Sequence, residues 1–326
     1  MAGRRAVLLA PLGAGLLGGL TGCAHQTNAV RSAGPSGLVR VHELSATPFF
    51  AQTAYHCGPA ALATALAAVG IPADPVRIAE QVFLPARQGA LQTEMIAGAR
   101  RQGAVATRIA PTLEAALREV HAGNVVVVLL NLGLKWLPAW HYAVLIGYDL
   151  DVGDVLLRSG ATFREAMAMR TFEHTWARSG SWAFAALPPG RWPGSAPPAS
   201  VIEAALGFER VAAPARAVDT YRSAIARVGP QLTLQMGLGN SLHASGDSAA
   251  AVAVFREAAA AHRSAAAWIN LALLLHASGD LPGARQAARE AAALGDPAWT
   301  ERAMALQDEL ADTNTSRPAG APVPAR

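Results

Sequence analysis

The stretch AQTAYHCGPAALATAL, residues 51–66, places a cysteine directly ahead of a helix-forming run. Pro59 falls in the first turn of that run, where a backbone N–H is not needed. Cys57 is therefore predicted at a helix N-terminus, where backbone N–H groups and the helix dipole favour a thiolate over a thiol. Gln52, five residues upstream, could donate a hydrogen bond to an oxyanion beside the sulfur. A lone cysteine is also commonly a small buried hydrophobic residue, so the rest of the chain must decide between these interpretations.

The composition of the 326-residue chain indicates two folded domains. Hydrophobic residues make up 52% and charged residues 15%, a balance that supports packed cores. The formal net charge is +4 and the basic residues are scattered, so nucleic acid is not an expected partner. With two cysteines, Cys23 and Cys57, the chain has no CxxC metal or redox motif. No nucleotide motif is present either, and we expect no cofactor.

The N-terminus has the pattern of an export signal. Residues 1–20 combine two arginines with an apolar run that is short for a membrane-spanning helix, and the run ends in LTGC at residues 20–23. This pattern resembles a bacterial lipoprotein signal, whose lipobox places small residues before an invariant cysteine. The resemblance implies that Cys23 is lipidated and becomes the mature N-terminus, which leaves Cys57 as the remaining thiol. The alternative is an ordinary secretory signal that is cleaved near Ala24.

The lipoprotein resemblance also implies a location. The chain would be anchored by lipid in the bacterial cell envelope. Ala24 stands where an aspartate is often linked with retention in the inner membrane, which favours the outer membrane, facing the periplasm. Residues 1–22 are then the signal peptide, and residues 23–45, with their Gly, Ser, Asn and Pro, are predicted to form a tether.

Residues 46–188 are predicted to form an α+β domain, with helices first and an antiparallel sheet second. Helical spacing, proline or Asp/Thr caps and terminal glycines indicate four helices, at residues 57–69, 74–82, 92–101 and 112–121. Apolar, β-branched runs predict four strands, at residues 124–130, 140–148, 154–159 and 182–187.

His141 follows a proline-containing loop and lies between two aromatic residues at the start of a predicted strand. Most histidines are surface or packing residues. However, a cysteine at a helix N-terminus together with a histidine on a later strand suits nucleophilic acyl transfer, because the imidazole takes the thiol proton and later returns it to the leaving group.

Two motifs together resemble the bacteriocin-processing, double-glycine cysteine peptidases, which are papain-like folds with a Gln/Cys/His/Asp site. The first is QTAYHCGPAALA from Gln52, and the second, some 84 residues after the cysteine, is HYAVLIGYD from His141. The similarity covers about residues 49–159. It implies a cysteine-type peptidase in which Cys57 is the nucleophile, His141 the base and Gln52 the oxyanion-hole donor.

One position departs from the pattern of that family. The orienting aspartate is expected on the strand after the histidine, where this chain has Arg158, Ser159 and Gly160. Ser159 could accept a hydrogen bond from the imidazole, but it cannot stabilise an imidazolium charge as a carboxylate does. Asn131, at the end of the preceding strand, is a second candidate, because papain-like sites accept an amide in this role.

The C-terminal part is predicted to be an all-α domain of helical repeats. A Pro/Gly-rich linker at residues 189–198 precedes it, residues 199–310 form it, and residues 311–326 are a predicted disordered tail. The string HASGD at residues 243–247 recurs 33 positions later, with small residues at matching places in both copies. This pattern resembles tetratricopeptide repeats, in which paired helices are joined by a Gly-Asp turn. A generic helical bundle is the alternative.

The leading hypothesis is a lipid-anchored, papain-like cysteine peptidase. Its substrate would be a peptide or protein, its repeats would bind a protein or peptide partner, and its lipid would attach it to a membrane. A preference for cleavage after small residues such as glycine follows from the family resemblance alone. Two alternatives stay open: a peptide-binding domain without activity, and a non-hydrolytic acyl transferase.

Overall fold

In the computed structural model of the chain, the described residues are 25–32, 37–51 and 56–312. They form an α+β domain followed by an all-α domain, which confirms the predicted fold class. The helices of the described α+β domain are α1 (His25–Ser32), α2 (Cys57–Ala68), α3 (Pro75–Val82), α4 (Gln92–Arg101), α5 (Leu113–His121) and α6 (Met169–Ala177), with a short 3-10 helix at Pro85–Arg87. Its strands are β1 (Val41–Glu43), β2 (Val105–Arg108), β3 (Val126–Asn131), β4 (Trp140–Asp149), β5 (Asp154–Ser159), β6 (Thr162–Ala168) and β7 (Ala183–Leu187).

The strands form one antiparallel sheet in the order β2-β7-β3-β4-β5-β6, and β1 pairs with β4. Neighbouring residues of β3 enter different cores, because successive side chains of a strand point to opposite faces. Val127 packs in the core that contains Leu62 of α2, whereas Val128 packs with Leu117 of α5 and Phe172 of α6. The sheet is therefore covered on both faces, as the continuous apolar run at residues 124–130 predicts.

The four predicted helices and four predicted strands are confirmed within two residues at each end. Their caps behave as expected: Asp74 accepts a hydrogen bond from Val76 N, and Thr112 accepts one from Ala115 N. The strands β1, β2 and β6 and the helices α1 and α6 are additional. Of these, β6 is largely exposed and has no alternating apolar pattern, so its sequence carries no periodic strand signal.

The prediction that residues 23–45 form a tether is wrong for the described part of this segment, because that part packs against the domain. The buried carboxylate of Glu173 accepts hydrogen bonds from Gln26 N at 3.1 Å and from Thr27 N at 2.8 Å, at the start of α1. In addition, β1 pairs with β4 through Val41 and Asp149. Cys23 and the signal peptide lie outside the described residues. Within the described ranges, no helix has the length and apolar character needed to cross a membrane.

The all-α domain consists, over its described residues, of three helix pairs and a last helix. The pairs are α7 (Pro198–Glu209) with α8 (Pro214–Val228), α9 (Leu232–Ala244) with α10 (Ser248–His262), and α11 (Ala265–Ala277) with α12 (Leu281–Ala293); α13 spans Thr300–Asp312. The matching small residues predicted at helix crossings are buried: Gly239, Ala251, Ala258, Ala272, Ala284 and Ala291.

The repeated HASGD string forms the same turn twice. Gly246 and Gly279 have φ of 94° and 86°, a conformation that glycine adopts without strain. Asp247 caps the following helix by accepting a hydrogen bond from Ala250 N. Asp280 caps its helix in the same way, by accepting one from Gly283 N. The Gly-Asp turn is therefore confirmed, and the histidine that begins each copy is exposed.

The Pro/Gly-rich segment at residues 189–198 is irregular but anchored to the α+β domain. Ser195 N donates a hydrogen bond to the buried carboxylate of Glu119 on α5. The guanidinium of Arg191 donates to Asn124 Oδ1, and Asn124 in turn donates to Glu119. This segment therefore holds the start of α7 against the first domain.

Candidate active site

The first functional element is the N-terminus of α2, which begins at Cys57. The thiol is free and half-buried. Gly58 packs tightly at this point, because a Cβ there would lie 2.9 Å from Ala90 Cβ and 3.0 Å from Met95 Sδ. The glycine after the cysteine therefore lets the start of α2 approach the segment that leads into α4.

The second functional element is the junction of β4 and β5. His141 is the second residue of β4, and its Nε2 lies 2.9 Å from Oγ of Ser159, the last residue of β5. The antiparallel pairing of Val144 with Arg158 places the start of β4 beside the end of β5. The structure thus brings together His141 and Ser159, which the sequence names as a possible pair.

Cys57 and His141 line the same open cleft, whose volume is about 1210 Å³. When the imidazole carries its proton on Nε2, it donates to Ser159 Oγ, and the lone pair of Nδ1 remains available to accept a proton. Burial lowers the pKa of His141, and the nearby carboxylate of Glu165 opposes this shift by raising the pKa. The burial effect is the larger, so a neutral imidazole suited to act as a base is expected at neutral pH.

Glu165 is a further functional candidate, which the family pattern does not indicate. It lies on β6 opposite Leu157 of β5. Leu157 is two residues before Ser159, so the two side chains point to the same face of the sheet. The carboxylate therefore comes from the strand after the one where the family pattern expects it. The available signal was the glycine at position 160 after a strand, which favours a hairpin and hence a further strand.

Asn131 does not orient His141, and this candidate assignment is corrected. Its side-chain Oδ1 accepts hydrogen bonds from Gly133 N and Ala139 N, both at 3.0 Å, and its Nδ2 donates to Leu134 O at 3.3 Å. These contacts use the amide to shape the loop between β3 and β4. Asn131 thus supports the segment that leads into His141, and Ser159 makes the contact with the imidazole.

Two further residues, Tyr142 and Arg178, line the cleft. The hydroxyl of Tyr142 donates to Ala90 O at 3.2 Å, and burial, together with the nearby Cys57, raises the pKa of Tyr142. Its proton therefore stays available for that hydrogen bond. The guanidinium of Arg178 donates to Asn131 O at 2.8 and 3.0 Å.

Two predicted site residues, Gln52 and Cys23, lie outside the described residues, so their roles stay predictions. Among the residues that the structure does describe, no group of three or more His, Cys, Asp or Glu side chains could hold a metal ion.

Comparisons with known proteins agree with this division of the chain. Residues 44–184 match the model of the Peptidase_C39 like family. Residues 203–262 and 236–298 match the tetratricopeptide repeat. A crystal structure of a C39-like peptidase from Bacillus anthracis has 20% sequence identity and a TM-score of 0.39, and the match covers 46% of this chain and 98% of that chain. A TM-score this low supports no conclusion about the fold or the function of this chain. The comparison with curated proteins found no match. The chain therefore contains a C39-like peptidase domain, matched over residues 44–184, and tetratricopeptide repeats after it.

Proposed function

We propose that the first domain is an active cysteine peptidase that cleaves a peptide or leader segment through Cys57 and His141. One observation carries the proposal: a thiol at a helix N-terminus and an imidazole held by Ser159 at 2.9 Å line one open cleft. With Nε2 directed to Ser159, Nδ1 is the nitrogen left to accept the thiol proton. This division of the two nitrogens is what nucleophilic thiol catalysis needs.

The proposed reaction follows from these positions. His141 removes the proton from Cys57, and the sulfur attacks the scissile carbonyl carbon. The resulting oxyanion is stabilised by the backbone N–H groups at the start of α2 and, by the family resemblance, by Gln52. The imidazolium then protonates the leaving amine as the C–N bond breaks. Water, deprotonated by His141, hydrolyses the thioester and restores the thiol.

The context of this peptidase is also part of the proposal. The repeat domain would bind a protein or peptide partner, as tetratricopeptide repeats offer a surface for this purpose. Lipid on Cys23 would hold the chain at the outer membrane, facing the periplasm. The support for this location is the LTGC motif at residues 20–23 at the end of an apolar run.

A thiol-labelling experiment tests the proposed nucleophile. In a chain that lacks residues 1–23, Cys57 is the only cysteine, so a thiol-reactive probe reports on it alone. We expect labelling near neutral pH that is faster than that of a model thiol, and peptide turnover that is lost in Cys57→Ala. Labelling no faster than the model thiol, or turnover that survives the substitution, would contradict the proposal.

A second candidate function is peptide binding without cleavage. The observation that favours it is Ser159, a hydroxyl that cannot neutralise an imidazolium, in the place of the expected carboxylate. Peptide binding with no Cys57-dependent product would support this candidate. Non-hydrolytic acyl transfer is separated from hydrolysis by product masses in the presence of an added amine acceptor.

A further inference from the structure

A second, smaller cavity of about 270 Å³ lies where the two domains meet. Its walls come from α4, from β2 and from α7, the first helix of the repeat domain. Gln92 and Thr93 line both this cavity and the active-site cleft. The two spaces are therefore neighbours across the start of α4.

Two arginine side chains line this junction cavity. The guanidinium of Arg108 lies 5.4 Å from the ring centre of Trp182, and its Nε donates to Ala183 O at 3.1 Å. The Nε of Arg100 is buried and has no hydrogen-bond partner among the described residues. A Cβ at Gly207 of α7 would lie 2.1 Å from Arg100 Cζ, so the guanidinium packs directly against the backbone of α7 and would have to shift if Gly207 carried a side chain.

The positive charge of the junction cavity is only partly balanced. Its one lining carboxylate among the described residues is Glu203, which is exposed and forms no ion pair within 4 Å of either arginine. Burial lowers the pKa of Arg100 and of Arg108, and the nearby carboxylate of Glu203 opposes this shift at both arginines by raising the pKa. Arg210 adds a further positive charge near Arg100. An anion in the cavity would restore both hydrogen bonding and charge balance.

The cavity is connected to the reacting groups by aromatic side chains. The ring of Trp182 lies beneath Arg108 and makes an edge contact with Tyr142, at a centroid distance of 5.8 Å. Tyr142 in turn lies beside Cys57. Because Gln92 and Thr93 line both spaces, a peptide in the cleft could reach the arginines with a neighbouring part of its own chain.

We propose that the junction cavity binds a carboxylate of the peptide substrate, either an acidic side chain or a free C-terminus. This inference deepens the proposed function and rests on it for the identity of the ligand as a peptide. A carboxylate is the anion that an unmodified peptide carries, and the guanidinium groups of arginines that line one cavity suit its planar, two-oxygen shape. The first repeat helix would thereby take part in substrate selection.

The test uses binding, so that it does not depend on turnover. The chain that carries Cys57→Ala is titrated against fluorescein-labelled peptides of Gly, Ala and Leu, and fluorescence anisotropy gives the dissociation constants. The peptides differ in one Glu or Gln and in a free or amidated C-terminus, which separates the two sources of a carboxylate. We expect a peptide that carries the recognised carboxylate to bind more tightly than its neutral counterpart. In Arg108→Gln, we expect the dissociation constant of that peptide to rise about 10-fold.

Two further variants distinguish ligand binding from an effect on the fold or on the net charge. Glu203→Gln removes the carboxylate that competes with the ligand, so we expect about 3-fold tighter binding of the acidic peptide. If Arg108 and Glu203 served only to hold the fold, binding would weaken in both Arg108→Gln and Glu203→Gln. Arg256→Gln, at an exposed position of α10, removes one positive charge, as Arg108→Gln does, and is the matched control for that variant.

Acidic and neutral peptides that bind equally, or no binding of any peptide, would overturn the carboxylate site. The proposed function fails in a different way: a chain with native Cys57 that binds the acidic peptide but never cleaves it would contradict the peptidase and leave the site standing.

Discussion

At the scale of single residues, the chemistry of the site depends on what surrounds the imidazole of His141. Ser159 fixes the ring through a neutral hydrogen bond, and the charge comes from Glu165 on the next strand. In the family pattern one aspartate performs both tasks. Here we infer that orientation and charge stabilisation are divided between two residues, because a hydroxyl can hold a ring but cannot offset its positive charge.

Glu165→Gln tests this division of tasks. The carboxylate raises the pKa of His141 against the larger effect of burial, so its removal is expected to lower the pKa further. The neutral imidazole would then persist to lower pH, and the acidic limb of kcat/KM would move in the same direction. NMR titration of the His141 ring protons measures the pKa directly, whether or not the chain is active.

The matched control for this titration is Glu301→Gln, at an exposed position of α13 in the repeat domain. It removes the same charge far along the chain and is expected to leave the pKa of His141 unchanged. A pKa of His141 that stays constant in Glu165→Gln, or that rises, would contradict the assigned role of Glu165.

At the scale of elements, α1 depends on one buried carboxylate. Glu173 on α6 accepts hydrogen bonds from the backbone N–H groups of Gln26 and Thr27 and from the hydroxyl of Thr27, at 3.1, 2.8 and 2.6 Å. The first N–H groups of a helix have no partner within the helix, and a carboxylate there also interacts favourably with the helix dipole. An eight-residue helix too short to be stable alone is thereby held in place.

Glu173→Ala is expected to release α1 from the domain. The loss of three hydrogen bonds from a buried site predicts a free energy of unfolding lower by about 1–3 kcal/mol, with faster hydrogen exchange at the amides of Gln26 and Thr27. Urea unfolding and exchange mass spectrometry measure the two effects. Glu80→Ala, at an exposed position of α3, is the control, and equal stability of the two variants would refute this account of α1.

At the scale of the whole molecule, the two domains share a small apolar core. Val105 of β2 packs with Ala204 and Phe208 of α7, all nearly inaccessible to solvent. Trp192 of the predicted linker is partly buried against the same group. The edge strand β2 is thus covered by the first repeat helix, which protects an edge that would otherwise be open to pairing.

Phe208→Ala is expected to uncover that edge. The loss of a buried aromatic ring should weaken the contact between the domains by about 3–5 kcal/mol, so hydrogen exchange of the β2 amides should accelerate roughly 150- to 4,000-fold. Phe255→Ala removes an equally buried ring from the interior of the repeat domain and is expected to leave β2 unaffected. Identical exchange at β2 in both variants would show that α7 does not protect the strand.

The sequence by itself determined those features whose signals are local. Periodic apolar residues, caps and terminal glycines predicted the helices from α2 to α5. The repeated HASGD string predicted the helical repeats, and the Cys57 and His141 motifs singled out two residues that line one cleft. Each of these patterns is decided by interactions within one or two turns or within one strand, so one segment carries enough information.

Only the tertiary structure decided the contacts between distant segments. It paired His141 with Ser159, directed Asn131 to the loop, and brought Glu165 to the site from a strand with no periodic pattern. It also docked α1 through a carboxylate 146 residues away and placed Arg100 against α7. Such contacts form because the sheet and the helices bring their partners together, and nothing in either partner's own segment encodes the other.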